Sequence, residues 1–330
     1  MPAVRQYDRG VRVRLVPPQD LGGAAVALTF NAVVPISGLP SPPQTAVEFQ
    51  VAKTLSPEPN AAVVRLWNLT PSTRDRIAGI VRRLVDWRSP SPVTKVDGIL
   101  RAGGNEVTST LAGMCSIKLE AGYSGQLAQV FSGTVTRCRT TRQGADSVTE
   151  LTCTDGGFGI AVSCPSKTFT TGATLLSMFE YLAGTAGLEV AKSAGAKTLA
   201  GFISPGPKTL MGDALQGMRD FTEPIGLSFW IEDGSVWVLN DGETLPGQPV
   251  VVSMQPIPGA VRLRGEPEVL DQGALRIRCT LAPGIQLGHQ VVLAGGDQRG
   301  TYRVETAGHG GFNRGGTFET SAVIRRPFVL

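Results

Sequence analysis

Histidine is almost missing from this chain of 330 residues, which holds two. Cysteine is scarce as well. Cys115, Cys138, Cys153, Cys164 and Cys279 form no C-x-x-C pair, and no histidine stands at ligand spacing from any of them. That argues against a structural zinc site. An odd number of cysteines in a long chain also argues against a secreted disulfide framework. Charged residues make up 18% of the chain, and the balance of 31 basic against 27 acidic residues is only +4, too small to suggest nucleic-acid binding from charge alone. No apolar run reaches the roughly 18 residues of a membrane span. Arg5, Asp8, Arg9, Arg12 and Arg14 lie where a secretion signal would need an apolar core. The expectation is a soluble protein made in a reducing cytoplasm, with no cofactor and no metal.

What the chain has in excess is glycine and proline, 41 and 23 residues. Together with 42% hydrophobic residues this predicts a packed, turn-rich fold rather than a helical bundle or a disordered chain. Residues 1–44 read as an N-terminal arm, arginine-rich and then proline-rich. Residues 45–165 read as a first β-rich domain, with strands in Thr45–Leu55 and Ala61–Leu69 and a hairpin around Gln143-Gly144. This domain contains one helix over 70–85. Thr70 caps it, Pro71 occupies its first position, and Ile77, Ile80, Val81, Leu84 and Val85 form its apolar stripe. Residues 86–113, with Ser-Pro-Ser-Pro and Gly-Gly, read as a protruding loop.

Residues 166–250 change character. Leu175, Leu176, Phe179, Leu182 and Ala183 share one helical face; Met211, Leu215, Met218 and Phe221 share a second. Asp233-Gly234 is a two-residue hairpin signal that sets Trp230 opposite Trp237. Residues 251–330 return to strands in Leu275–Leu281, Gln290–Leu293, Thr301–Thr306 and Phe318–Ile324, separated by glycine turns. Charge follows the same division: 17 basic and 12 acidic residues in 1–165 (+5), 5 and 9 in 166–250 (−4), 9 and 6 in 251–330 (+3).

The usual chemical motifs are absent. There is no Walker A loop, G-x-S-x-G elbow, H-E-x-x-H or dinucleotide fingerprint, and the glycines at 156, 157 and 159 lack pyrophosphate spacing. His309 in Gly308-His309-Gly310-Gly311 reads as a loop histidine in a structural role. Asp213, Asp220 and Glu223 read as a solvated helix surface, and the basic pair Arg82-Arg83 as a helix C-terminus. The sequon Asn68-Leu69-Thr70 precedes a proline and is discounted. The tryptophan pair reads as cross-strand packing rather than a sugar platform. No catalytic, cofactor-binding or metal-binding residue is assigned.

Several stretches taken in order resemble the baseplate hub proteins of phage tails, the late control protein D-like, tail-tube-like hub family related to the hub part of type VI secretion spikes. They are Phe49–Lys53, Pro59–Thr70 with Thr73-Arg74, Leu119–Tyr123, Phe131–Val135, Thr154–Gly156, Leu281–Gly288, Gly300–Val304 and Gly308–Gly310. The resemblance implies a mainly β fold in which two tail-tube-like β-barrel domains flank an α+β insertion. It implies a non-enzymatic homotrimer whose pseudo-sixfold ring joins a hexameric tail tube to a trimeric central spike in the virion baseplate, assembled in the host cytoplasm. The implied partners are itself, the tail tube or a distal tube-initiator protein, the spike, the tape-measure protein and baseplate wedge proteins; membranes and specific nucleic-acid binding are not implied. The alternative is a glycan-binding or cell-wall-degrading tail-tip component that uses Trp230, Trp237 and His309.

Overall fold

The structure, a computed structural model, describes residues 9–16, 28–32, 45–78, 115–123, 125–156, 159–160 and 163–327. It is mainly β. The strands are β1 (Arg9–Val16), β2 (Leu28–Ala32), β3 (Ala46–Thr54), β4 (Ala61–Trp67), β5 (Ser116–Tyr123), β6 (Gln126–Gln143), β7 (Asp146–Thr154), β8 (Ser166–Phe169), β9 (Glu189–Val190) and β10 (Lys208–Met211), followed by β11 (Leu227–Glu232), β12 (Ser235–Asn240), β13 (Val250–Ser253), β14 (Val261–Arg262), β15 (Glu268–Val269), β16 (Leu275–Thr280), β17 (Gln290–Ala294), β18 (Gly300–Phe312) and β19 (Gly315–Arg325). The helices are α1 (71–78), α2 (Leu175–Thr185), α3 (Ala194–Gly201) and α4 (Ala214–Thr222). The expected loop 86–113 and the second half of the expected helix 70–85 lie outside the described residues.

Among the described residues fourteen strands share one sheet, whose main path is β14-β13-β17-β18-β3-β4-β7-β6-β5-β1-β2. The first flank is built on period-two alternation. In β1, Val11, Val13 and Leu15 are buried while Arg12 and Arg14 are exposed. The stretch expected as an arm therefore supplies two strands of this sheet, and Val11, Val13, Leu15 and Phe30 join its core. Arg12 and Arg14 of the expected arm form the solvent face of a strand.

β1 lies six steps from β18 along that path, roughly 29 Å in a flat sheet at about 4.8 Å per strand. Yet Arg9 Nη1 donates to the carbonyl oxygens of Phe312, Gly315 and Gly316 at 3.2, 2.9 and 3.0 Å. Tyr123, at the end of β5, donates its hydroxyl to Phe318 O and accepts from Leu281 N, each at 3.2 Å. The sheet must curl until its far strands return to the β18–β19 hairpin, and these side chains close the gap. The Phe318 ring sits at the closure, edge-on to Phe49 and Tyr123 at 5.9 and 5.3 Å between centroids, with the Arg9 guanidinium 5.3 Å from its centre.

The second flank forms a shorter circuit. β13 pairs with β14 and β17, β17 with β18, β18 with β19, and β19 with β16. The circuit closes where Leu263, just after β14, bridges Cys279 of β16. β18 belongs to both flanks: its first residues pair with β17, and Thr306–Phe312 pair with β3. A bulge between Val304 and Thr306 marks the changeover.

The glycines at 308, 310 and 311 do not make the expected turn, and His309 is mid-strand rather than in a loop. Strand glycine marks a close approach. A Cβ on Gly311 would lie 2.2 Å from the Phe318 ring, so a side chain there would displace the residue that closes the first flank.

The middle segment has its own core around Phe179, Met218 and Phe229. Thr174, Ser193 and Asp213 cap α2, α3 and α4 by accepting from the backbone N–H groups of Ser177, Ala196 and Gln216. The second expected helix began too early: Met211 is in β10 and 74% exposed, because Gly212 (φ 96°) turns the chain and Asp213 starts the helix. α3 had no apolar period to announce it. No described helix is long and apolar enough to cross a membrane.

Two neighbouring glycines give a paired test. Gly311→Ala is expected to destabilise the fold by about 1–3 kcal/mol through overpacking. Gly310→Ala, whose Cβ would meet nothing nearer than Phe49 O at 3.7 Å, is expected to stay within about 0.5 kcal/mol of the parent. Urea denaturation of both variants measures the difference.

Candidate functional site

The β11–β12 hairpin is the joint of the molecule. Phe229, Ile231, Val236 and Val238 face the middle core, while Trp230 and Leu239 face the second flank, so both sides are buried. Asp233 (φ 54°) and Gly234 (φ 77°) form the tight turn expected from the sequence. Trp230 pairs with Trp237, their rings stacked at 6.2 Å and 16°. Trp230 is fully enclosed, and its Nε1 donates to Glu232 at 3.2 Å, so the two rings do not form an open platform.

The hairpin tip is held by residues of the first flank. Lys53 Nζ meets Glu232 Oε1 at 2.5 Å with both side chains nearly enclosed. Asn60 donates to Ile231 O at 2.7 Å and accepts from Thr54 N at 3.0 Å. The Asp155 carboxylate accepts from Asp233 N at 2.5 Å and Gly234 N at 3.2 Å, and Gln129 donates to Asp233 at 2.7 Å. Gly156 (φ 68°) passes so close to Ile231 that a Cβ would approach its Cγ2 at 2.8 Å. A cavity of about 200 Å³ remains beside this joint, lined by Gly133, Asp155, Gly187 and Asp233 among others. Burial pushes the Asp155 carboxyl up to about 7, the negative charges of Asp233 and Glu232 act in the same direction, and the two N–H donors act against it.

His309 forms a second internal pin. It is 2% exposed, and its Nδ1 lies 2.9 Å from Thr320 Oγ1, which accepts from Ala282 N at 2.9 Å. Burial lowers its pKa to about 3, the positive Lys53 adds to the shift, and a backbone hydrogen bond with Ile285 opposes it. His309 thus fixes the 281–288 turn against β18 and β19.

The other sequence candidates do not converge. Asp213 caps α4, Asp220 accepts from Gln216 at 2.9 Å, and Glu223 opens a short 3-10 turn. Asn68 (φ 54°) clamps the β6–β7 hairpin, donating to Asp146 at 2.7 Å and accepting from Ser147 N at 2.9 Å. Thr70 Oγ1 accepts from Thr73 N as the cap of α1. Arg82 and Arg83 lie outside the described residues, as do positions 157 and 158. Among the described residues no three His, Cys, Asp or Glu side chains are grouped to hold a metal ion. Lys53, Asn60, Asp155, Tyr123 and Thr320 were not singled out as joints from the sequence. Their signal was a polar residue on the inward phase of an apolar alternation, as in Val47-x-Phe49-x-Val51-x-Lys53.

No protein-family model matches the chain, and no curated protein sequence is significantly similar to it. Its fold is similar to solved structures over nearly its whole length. A tail protein from Neisseria meningitidis MC58 is 12% identical with a TM-score of 0.54, and 96% of each chain is covered. The 43 kDa tail protein of prophage MuSo2 from Shewanella oneidensis is 8% identical with a TM-score of 0.55, covering 96% of this chain and 97% of that one. The E. coli c3393 protein, a type VI secretion component with structural similarity to the T4 tail proteins gp27 and gp5, is 10% identical with a TM-score of 0.52, covering 88% and 76%. The fold is mainly β and similar to the folds of these tail proteins.

Removing one partner of a buried ion pair strands the other. Lys53→Met is expected to cost about 3–5 kcal/mol in denaturant unfolding, and adding Glu232→Gln to recover part of it. The two titrating joints have opposite signs. The raised Asp155 pKa gives stability that is full below about pH 4 and is lost as pH rises through about 7. The lowered His309 pKa gives stability that is full above about pH 6.5 and is lost as pH falls toward about 3. Asp155→Asn should therefore gain on the parent as pH rises from 4 to 7, by on the order of 1 kcal/mol per unit, and His309→Gln should gain as pH falls below 6.5. Thermal melts across that range check both slopes.

Proposed function

We propose that this chain is the structural hub of a phage tail baseplate, a homotrimer whose pseudo-sixfold ring joins the hexameric tail tube to the trimeric central spike. The observation that carries the reading is the pair of curled sheets fused within one chain through β18. Three such chains present six similar units to a sixfold tube while keeping threefold symmetry toward a spike. The whole-length likeness to phage tail and type VI secretion proteins supports a place in a tail. A ring needs a heterologous interface that closes, since one that does not close gives filaments. The partners in this reading are further copies of the chain, the tube or its distal initiator, the spike, the tape-measure protein and wedge proteins. The location is the virion baseplate after assembly in the host cytoplasm.

The role is mechanical and asks for no chemistry. The polar side chains in the interior join segments of one chain, as Lys53–Glu232 and His309–Thr320 do. The alternative of a glycan-binding or cell-wall-degrading component draws nothing from the tryptophan pair, because Trp230 is enclosed. Electron cryomicroscopy of the particle encoded with this chain tests the proposal. Three copies at the tube–spike junction are expected; six copies, or none at that junction, would end the hub reading.

A further inference from the structure

The outer face of the second flank gathers arginines on adjacent strands. Leu263 and Cys279 bridge each other and are both buried, so alternation turns Arg262, Arg264, Arg278 and Thr280 to the opposite, solvent side. The antiparallel bridge sets Arg262 across from Thr280 and Arg264 across from Arg278, and Arg264 N donates to Arg278 O at 2.8 Å. Arg276 lies on the same face of β16, between the buried Leu275 and Ile277.

Two carboxylates serve this face. Glu319, opposite Thr280 on β19, is held by Arg264 at 3.3 Å, and Glu268 on β15 is held by Arg276 at 3.0 Å. Glu266 and Asp271 form no ion pair with any of the four arginines. Arg262 and Arg278 are exposed and have no ion-pair partner among the described residues. Like charges directly opposite each other, as Arg264 and Arg278 are, oppose the pairing of their segments. An open depression of about 440 Å³ lies at this point, lined by Arg262, Leu263, Arg264 and Thr280, and Arg278 stands two positions before Thr280 on the same face.

We propose that Arg262, Arg264 and Arg278 form a binding site for a phosphate group, free or esterified. An anion between the guanidinium groups removes their repulsion and gains charge-assisted hydrogen bonds, for which the arginine fork is shaped. The two unshared charges, on Arg262 and Arg278, match a phosphate monoester, which carries about −1.5 to −2 near pH 7, better than a single carboxylate. Thr280 adds a hydroxyl donor. The backbone under the site is tied by the Leu263–Cys279 bridge and the Arg264–Arg278 hydrogen bond, so the donors stand on paired segments rather than on a free loop. The site belongs to the single chain and stands apart from the hub reading.

The test uses the full chain and inorganic phosphate, with sodium acetate of equal ionic strength as the control. A ligand that binds only the folded chain raises its Tm. Phosphate is expected to raise the Tm of the parent above the acetate control, and Arg262→Gln/Arg278→Gln to lose that increment. Arg14→Gln/Arg139→Gln, which removes two exposed arginines of the first flank, is expected to keep it. Arg278→Lys is a gentler second variant that keeps the charge and loses the fork; its phosphate affinity, read by calorimetry, is expected to fall roughly tenfold. No increment in the parent, or the same increment in the parent and in Arg262→Gln/Arg278→Gln, overturns the site. A short duplex DNA separates the two sources of phosphate. Binding that falls with salt and is lost in Arg262→Gln/Arg278→Gln supports the site and assigns it to nucleic-acid phosphate. A phosphate increment without DNA binding supports it and assigns it to free phosphate or a monoester.

Discussion

Strand β18 is the constraint on which the rest of the molecule depends. It pairs with β17 over its first residues, with β3 over its last seven, and with β19 along most of its length. Two cores therefore share one backbone ladder. A strand bonded on both edges cannot slip by one residue without exposing its whole inward set, here Ala307, His309 and Gly311, so register on one side fixes register on the other. The bulge at Val304/Thr306 lets one strand serve two differently curved sheets.

Closure of the first flank follows from that. β1 and β5 return to the β18–β19 hairpin because Arg9, Tyr123 and Phe318 meet there, and Gly311 leaves room for the ring. The β11–β12 hairpin then locks the middle segment between the flanks. Its turn sits on Asp155, its Glu232 on Lys53, and its Trp230 against Gly288, where a Cβ would lie 3.0 Å from the ring. The stretches that suggested a tail hub in the sequence, around Lys53, Asn60, Tyr123, Asp155, Leu281 and His309, are the places where separate segments touch. A short sequence pattern can thus mark a joint between segments of one chain.

Much of the fold was legible because alternation is a local signal. β3, β5 and β16 announce themselves by apolar residues at every second position, and the Asp233-Gly234 turn fixes the Trp230–Trp237 register by geometry alone. The rest was hidden for identifiable reasons. β1 was masked by arginines that only a sheet partner could reveal as a solvent face. The middle of β18 was read as a turn because its glycines answer to Phe318, a residue on another strand. α3 has caps but little apolar stripe. The joints themselves are non-local: Lys53 and Glu232 are 179 residues apart, and only the misplaced polarity at an inward position hints that each needs a partner.

Native-state hydrogen exchange resolved by residue tests most directly whether the shared strand makes the two flanks one mechanical unit. If it does, the amides of β3, β18 and β19 exchange slowest, and core amides of both flanks, such as those of Val64 and Ile277, exchange only through the same global opening. Separate opening of the second flank, with β17 and β16 exchanging at a markedly lower free energy than β3 and β4, would contradict it.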